Sequence, residues 1–540
     1  MKYALPIILI VVFLLRLTSF FEPYWYGDEG ISLTLGQAWR HGLILYQDIT
    51  DNKPPLLYIV SGFAYTLPWL KIITTLWTLT TIALFWQLSS LILKRQSQVI
   101  FATSIFALMT TLPRWEGNSA NGEIFFLLPV LAGVIVVLRI THLTEGKLTL
   151  PFLSKSEGPH PPPAGGPLLQ GERVPPLQMK RGQGEFDGSR WPFLMLIRLF
   201  IAGSFFGIGF LFKNPAAFDL LAFLLLPLFL IKLNNLQHWR TTFIYGITLM
   251  AGFLFPTLLT ALWFAYQHSF WPFYNAVFGS NFTYIGIWEP LARWGRTGDF
   301  GGTVIQRLSL AIILTTGLWL VRRQLPTLIT IICLWFIWNL FGTTLSGRPY
   351  PHYLLQATPL LAIFLTLGLT ANHARTQIVS ISALAIFWLA WGRMGYWSYP
   401  VSSYYQNFWQ YATGQQSYLT YRNNFDPHVS EIYSISQWLK TSTTPQDRVF
   451  LWGDDAQIFA LAGRLPATKY VAAYHVEQAN AYQEVIEFLR QHPPTIIIIS
   501  ADKARPYPQL DDFLGKKYLE VHLENIRGRV YRYIGDLMAE

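Results

Sequence analysis

The sequence predicts a polytopic α-helical membrane protein: a bundle of about eleven transmembrane helices followed by a small C-terminal α/β domain on the outer side. Three observations carry that expectation. Of 540 residues, 52% are hydrophobic and 16% aromatic while only 13% are charged, a balance foreign to soluble chains of this length. Apolar runs long enough for a roughly 30 Å hydrocarbon layer recur along residues 1–397. These runs lack the alternation of barrel strands, and only helices or closed barrels satisfy their backbone in lipid.

In chain order the spans fall near 3–21, 72–93, 99–112, 124–141, 193–212, 216–231, 241–267, 303–321, 325–344, 353–370 and 377–395. The first has no small-x-small cleavage pattern before the polar loop that follows, so it reads as an uncleaved span rather than a removed signal. Arg16, near its outer end, is expected to snorkel toward headgroups. The apolar piece 55–69 is short and proline-flanked and reads as a helix lying along the outer surface. With the N-terminus inside, the clustered positives Lys94/Arg95, those of the 142–192 segment, Lys232 to Arg240, Arg322/Arg323 and Arg375 all fall on the inner side, as the orientation rule requires. The loops 22–55, 113–123, 268–302 and 346–353 then share the outer face with everything after 398.

The expected domains are therefore a transmembrane unit (1–397), an aromatic and polar connection (398–444) and an extracytoplasmic α/β domain (445–540). In the last, VFLWGDDAQIFALAGRLPATKYV reads as strand, turn, helix, turn. AYQEVIEFLRQH reads as an amphipathic helix, TIIIIS as a buried strand, and YLEVHL and VYRYI as closing strands. The WGDD turn is explained by helix capping at Asp454 or Asp455, with ligand binding as the alternative. Segment 154–190, rich in Pro, Gly and charge, cannot bury a core and is expected to be a disordered inner loop.

The net charge of +10 does not point to nucleic acid, because the positives sit at the ends of apolar runs and form no patch interleaved with aromatics. The single cysteine, Cys333, lies in an apolar run, so no intrachain disulfide, thiol catalysis or cysteine metal site is expected. No ligand set has the usual metal spacing; neither a metal nor a cofactor is expected.

Chemistry concentrates in the stretch Tyr24–Tyr58. Asp28 and Glu29 are adjacent carboxylates beside an apolar span, and an ion pulled out of water there needs a reason. Two readings of Asp28 stay open: a general base at the membrane boundary, or an anion favoured at a helix N-terminus. Glu123, opening the fourth span, carries the same pair of readings. Lys53, Lys213, Arg348 and His352 form a cationic complement on the same face, with solvated, headgroup-facing ends as the other reading and, for His352, a packed neutral histidine. Lys213 runs against the orientation bias, which points to an anionic ligand such as phosphate.

Four segments in this order, Tyr26-Gly27-Asp28-Glu29-Gly30, Asp51-Asn52-Lys53-Pro54-Pro55-Leu56, Ala120-Asn121-Gly122-Glu123 and Arg348-Pro349-Tyr350-Pro351-His352-Tyr353, resemble the C-type (GT-C) membrane glycosyltransferases. The likeness is to the bacterial dolichyl-phosphate-mannose-protein mannosyltransferase-like group, families 39 and 83, which includes aminoarabinose transferases acting on lipid A. It covers residues 1 to about 395, with the tail similar to outer-face domains of bacterial members. The resemblance implies a GT-C-like bundle, a polyprenyl-phosphate sugar donor, and inverting transfer to a lipid, glycan or protein hydroxyl on the outer face. It implies Asp28 as general base beside Glu29, Glu123 as second acid, Lys53 near the donor phosphate, and Lys213, Arg348 and His352 as further donor contacts. Some relatives carry Asp where this chain has Glu123. A transporter or flippase for a lipid-linked glycan, or a surface scaffold anchored by the bundle, are the rival expectations.

Overall fold

A computed structural model describes residues 3–140, 143–144, 147–148, 190–230, 236–281, 303–501, 505–524 and 526–535. The expected disordered loop lies outside them except for Arg190, and the connection 268–302 is described only to residue 281. Among the described residues nine helices are long and apolar enough to cross a membrane: Ala4–Phe21, Leu67–Ile92, Gly122–Ile140, Phe193–Phe212, Thr242–Tyr266, Val304–Gln324, Thr327–Thr344, Pro351–Thr370 and Ala374–Met394. Gln96–Met109 and Ala216–Leu230 stand where two more spans are expected but are shorter. At 1.5 Å per residue, helices of 14 and 15 residues reach only about 21–23 Å. The eleven expected spans thus become nine of spanning length and two short helices. Segment 55–69 contributes the nine-residue helix Leu56–Ala64, too short to cross.

The bundle is held by close backbone approach as well as by apolar contact. Helix Arg190–Phe212 runs along Leu236–Tyr266 through Gly203, Gly207 and Gly252, each of which faces the partner's backbone with no room for a side chain. In lipid, apolar burial between helices has little net drive, and small residues that admit tight packing supply the association. Arg16 does not snorkel. It is fully buried, and its guanidinium donates to the Gly117 carbonyl at 2.9 and 3.0 Å and to Thr78 Oγ1 at 2.9 Å, which ties the first span to the loop 113–121.

The C-terminal domain is a five-stranded sheet in the order Leu465–Pro466, Arg448–Trp452, Ile496–Ile499, Arg529–Tyr533, Tyr518–Val521. The first three strands are parallel and the last two antiparallel. Ile496–Ile499 is buried at every residue, which is why it reads as an unbroken apolar run rather than an alternating one. The helix Tyr482–Gln491 turns Val485, Ile486 and Leu489 inward. Residues 398–444 are more than a connection. They form the helices Val401–Ala412, Tyr418–Asn423 and Val429–Ser442, and the last places Ile432, Ile435 and Leu439 in one core with Val449 and Ile496.

Between bundle and sheet domain lies the stretch 24–58. Its helix Gly27–Arg40 packs on Leu56–Ala64 on one side and on Gln457–Ala462 on the other. A Cβ at Gly30 would stand 2.7 Å from the Gln457 backbone nitrogen, so only glycine admits this contact. Thr34 Oγ1 donates to the Ala456 carbonyl at 2.9 Å, and Thr50 N to the Lys469 carbonyl at 2.8 Å. The most charged part of the N-terminal region is thereby sandwiched between the two halves of the molecule.

Candidate active site

At this junction lies a cavity of about 820 Å3 whose wall includes Asp28, Lys53, Lys213, Arg348 and His352. Asp28 enters it from the first turn of Gly27–Arg40, where an anion is favoured by the helix dipole. Its side chain remains 28% exposed, and Oδ1 lies 3.3 Å from Lys53 Nζ. Lys53 Nζ also reaches Asp51 Oδ2 at 3.2 Å. Asp51 is buried, accepts from Tyr58 OH at 2.8 Å and from Asn52 N at 2.7 Å, and is approached by His475 Nε2 of the C-terminal domain at 3.2 Å. Burial works against charge on Asp28, but Lys53, then His352 and Lys213, outweigh it and hold the carboxyl below the usual aspartate range. Burial likewise opposes charge on Lys53, and Asp28 and Asp51 reverse the balance, lifting the ammonium well above its ordinary value. Both groups are ionised at neutral pH.

Glu29, one residue on, goes elsewhere. It is buried among the helices, where its Oε1 meets Lys71 Nζ at 2.8 Å and accepts from Ala120 N at 2.7 Å. Lys71 also binds Glu22 at 2.8 Å, so two carboxylates share one ammonium away from the cavity. Glu123 does not line the cavity either; it is buried and paired with Lys213, whose ammonium stands 4.6 Å over the Tyr353 ring. Lys213 therefore faces the cavity with a buried acid behind it. Arg348 follows Gly347, whose φ of +67° turns the chain in the left-handed region before the segment Pro351–Ala357.

His352 is joined to an acid of the loop 113–123 that is not among the expected site residues. Glu116, held at φ 59° after the turn Pro113–Trp115, accepts from His352 Nδ1 at 2.7 Å, from Asn121 Nδ2 at 3.2 Å and from Tyr26 OH. A carboxylate only accepts, so Nδ1 is the donor in this bond. Glu116 and Tyr26 both line the cavity. The C-terminal domain closes its far side with Asp454, Tyr474 and Arg505. Arg505 grips Asp454 through two bonds of 3.1 Å and Glu477 at 2.7 Å, while Asp454 accepts from Tyr474 N at 3.1 Å. The WGDD turn thus contributes a cavity wall through Asp454, and Asp455 accepts from Ser500 Oγ at 2.8 Å. A sequence signal for Glu116 did exist: an acid in a loop between spans on the face already holding Asp28.

Beside this polar cavity runs a second feature of opposite character. Pro54 lines the cavity, and its neighbours Pro55 and Leu56 line an apolar groove of about 350 Å3 shared with Ile59, Leu259, Trp263 and Phe264. Among the described residues no group of three or more His, Cys, Asp or Glu side chains is arranged to hold a metal ion.

No family model and no curated protein matches this sequence. Among solved structures, the chain is similar to ArnT from Cupriavidus metallidurans bound to undecaprenyl phosphate, at 12% identity and a TM-score of 0.49, over 97% of each chain. It is also similar to the archaeal oligosaccharyltransferase AglB from Archaeoglobus fulgidus in complex with an inhibitory peptide and a dolichol-phosphate, at 12% identity and a TM-score of 0.40, over 93% of this chain and 70% of that one. Likenesses this distant decide nothing about this chain's chemistry.

Proposed function

We propose that this chain is a membrane glycosyltransferase that moves a sugar from a polyprenyl-phosphate donor to an acceptor hydroxyl at the outer membrane face, with inversion. The observation that carries the reading is the cavity itself: Asp28, its side chain 28% exposed, stands among Lys53, Lys213 and Arg348, next to an apolar groove. A polyprenyl phosphate has this same division, an anion joined to an apolar tail.

The reaction assigns each part a task. The acceptor oxygen attacks C1 of the sugar; the C1–O bond to phosphate breaks, and polyprenyl phosphate leaves with the bonding pair. Asp28 takes the hydroxyl proton, and the surrounding cations stabilise the charge that builds on the phosphate oxygens. Phosphate leaves without needing a proton, so one base and a cationic clamp suffice, whereas glycoside hydrolysis ordinarily calls for two carboxyls flanking the bond. Glu123 and Glu29 act behind this front, Glu123 by fixing Lys213 and Glu29 by anchoring the helix that carries Asp28. The outer placement of the cavity rests on the distribution of positive residues along the chain.

The test is turnover by the purified full chain in lipid nanodiscs supplied with polyprenyl-phosphate sugars. The expected result is release of free polyprenyl phosphate by the native protein and its loss in Asp28→Asn, with donor binding retained. Equal release by Asp28→Asn removes the base assignment; in sealed proteoliposomes of the same chain, donor carried across the bilayer with no bond cleaved makes the protein a flippase.

A further inference from the structure

A second cavity, of about 360 Å3, adjoins the first and shares two wall residues with it, Glu116 and Tyr399. Its wall is built from the helix Val401–Ala412 and residues just before it, from Asn424 and Phe425, from Trp25 and from the loop 113–119. Four aromatic side chains line it: Trp25, Tyr399, Tyr404 and Phe425. Trp25 is the centre of this group, with ring centroids 5.7 Å from Tyr399 and 5.8 Å from Phe425. The amides of Asn118, Gln406, Asn407, Gln410 and Asn424 also line it, those of Asn118 and Asn424 already donating to Glu22 Oε1 and Asn407 Oδ1.

One group there is left unsatisfied. Ser119 lines the cavity at 1% exposure, and its hydroxyl has no hydrogen-bond partner. The charge of the lining is equally informative. Among the described residues its sole ionisable side chain other than tyrosine is Glu116, and no lysine or arginine lines it. The first cavity, by contrast, carries Lys53, Lys213, Arg348 and Arg505.

From this combination we infer that the second cavity is the acceptor subsite and that it takes a neutral saccharide. A sugar ring presents C–H faces that lie against aromatic rings, and a rim of hydroxyls, each both donor and acceptor. Side-chain amides offer one donor and one acceptor edge in a plane and match that rim. The absence of cations among its described residues and the presence of Glu116 disfavour a phosphorylated or carboxylated acceptor. The volume sits at the low end of the roughly 300–1,000 Å3 of small-ligand pockets, suited to a sugar and too small for a length of folded polypeptide. Because Glu116 and Tyr399 belong to both walls, a hydroxyl of the bound saccharide borders the chamber that holds Asp28.

This assignment rests on the glycosyltransferase reading, and two arms keep the failures apart. In the first, independent of turnover, the full chain in nanodiscs is titrated with neutral disaccharides (maltose, cellobiose, mannobiose) and with glucose 6-phosphate, following tryptophan fluorescence. Saturable binding of at least one neutral disaccharide is expected, weakened about tenfold or more by Ser403→Trp, which fills the exposed rim without touching the core, and by Gln410→Ala. Glucose 6-phosphate is expected to bind at least tenfold more weakly. No neutral binding, or binding indifferent to both variants, overturns the subsite. In the second arm, the acceptor KM rises tenfold or more in Ser403→Trp while the donor Kd is unchanged. Donor turnover with a saccharide KM unaltered by Ser403→Trp, or with a peptide as the better acceptor, overturns the subsite and leaves the glycosyltransferase reading standing. Saccharide binding without any donor cleavage overturns that reading and, with it, the acceptor role.

Discussion

Asp28 and Glu29 are neighbours in sequence and in one helical turn, yet their surroundings have almost nothing in common. Asp28, with 28% of its side chain exposed, meets Lys53 at a cavity wall. Glu29 shares Lys71 with Glu22 where all three side chains are 2% exposed or less. Successive helical residues are turned by about 100°, so one carboxylate faces the sheet domain's side and the other the bundle. The difference teaches that a carboxylate beside a lysine has two meanings. Where water and substrate reach it, the pair tunes a reacting group; where they do not, it is a strut whose cost of desolvation is offset only by good geometry.

Four substitutions break or sharpen this contrast. The largest effect is expected from Asp28→Asn, which removes the proposed base and lowers kcat by about 100- to 10,000-fold while the thermal unfolding midpoint stays where it was; a kcat within tenfold of native would make Asp28 a second strut. Next is Lys71→Met, which strands Glu22 and Glu29 without a counter-charge and is expected to destabilise the fold by about 3–5 kcal/mol, read as a lowered unfolding midpoint. An unchanged midpoint would mean that the buried triad contributes nothing.

A smaller effect concerns pH. As the proposed base, Asp28 acts only when ionised, and its carboxyl is held below the ordinary aspartate value of about 3.9, so kcat of the native protein is expected to stay level from neutral pH down into that range. It falls only as the pH drops through the lowered value. Lys53→Met leaves the upward effect of burial opposed by His352 and Lys213 alone, and the acid limb of kcat at saturating donor moves up by about 1–2 pH units. A limb that stays put would detach Lys53 from the base. The smallest change is expected from Gly30→Ala, whose Cβ meets the Gln457 backbone and strains the contact between this helix and the sheet domain. Overpacking of this kind costs about 1–3 kcal/mol, and a protease-protection assay of the C-terminal domain reads it as easier release.

Much of this architecture is legible in the chain because its causes are local. The strands around Phe450 and Ile497 announce themselves as short apolar runs between turn residues, and the helix at Val485 by its apolar spacing. Lys213 draws attention because a cation at the outer end of a span is out of place, and it does line the cavity. Arg16 deceives for the opposite reason. Nothing near it in sequence shows that Gly117 and Thr78 will satisfy its guanidinium, and without partners an arginine at a span's end reaches for water. Glu116 escapes notice in the same way, since its histidine lies 236 residues onward.

Hydropathy and spacing alone determine that this chain builds a helical bundle with a small sheet domain appended, because apolar periodicity is written over a few consecutive turns. They also determine which segments bear charge. Which charged group meets a ligand is decided only when the chain is folded: Lys53 and Lys71 claim Asp28 and Glu29 from different segments, and the C-terminal domain closes over one pair and leaves the other inside. Solvent access and counter-charge set the reactivity of a carboxylate, and both belong to the assembled surroundings rather than to any neighbour along the chain.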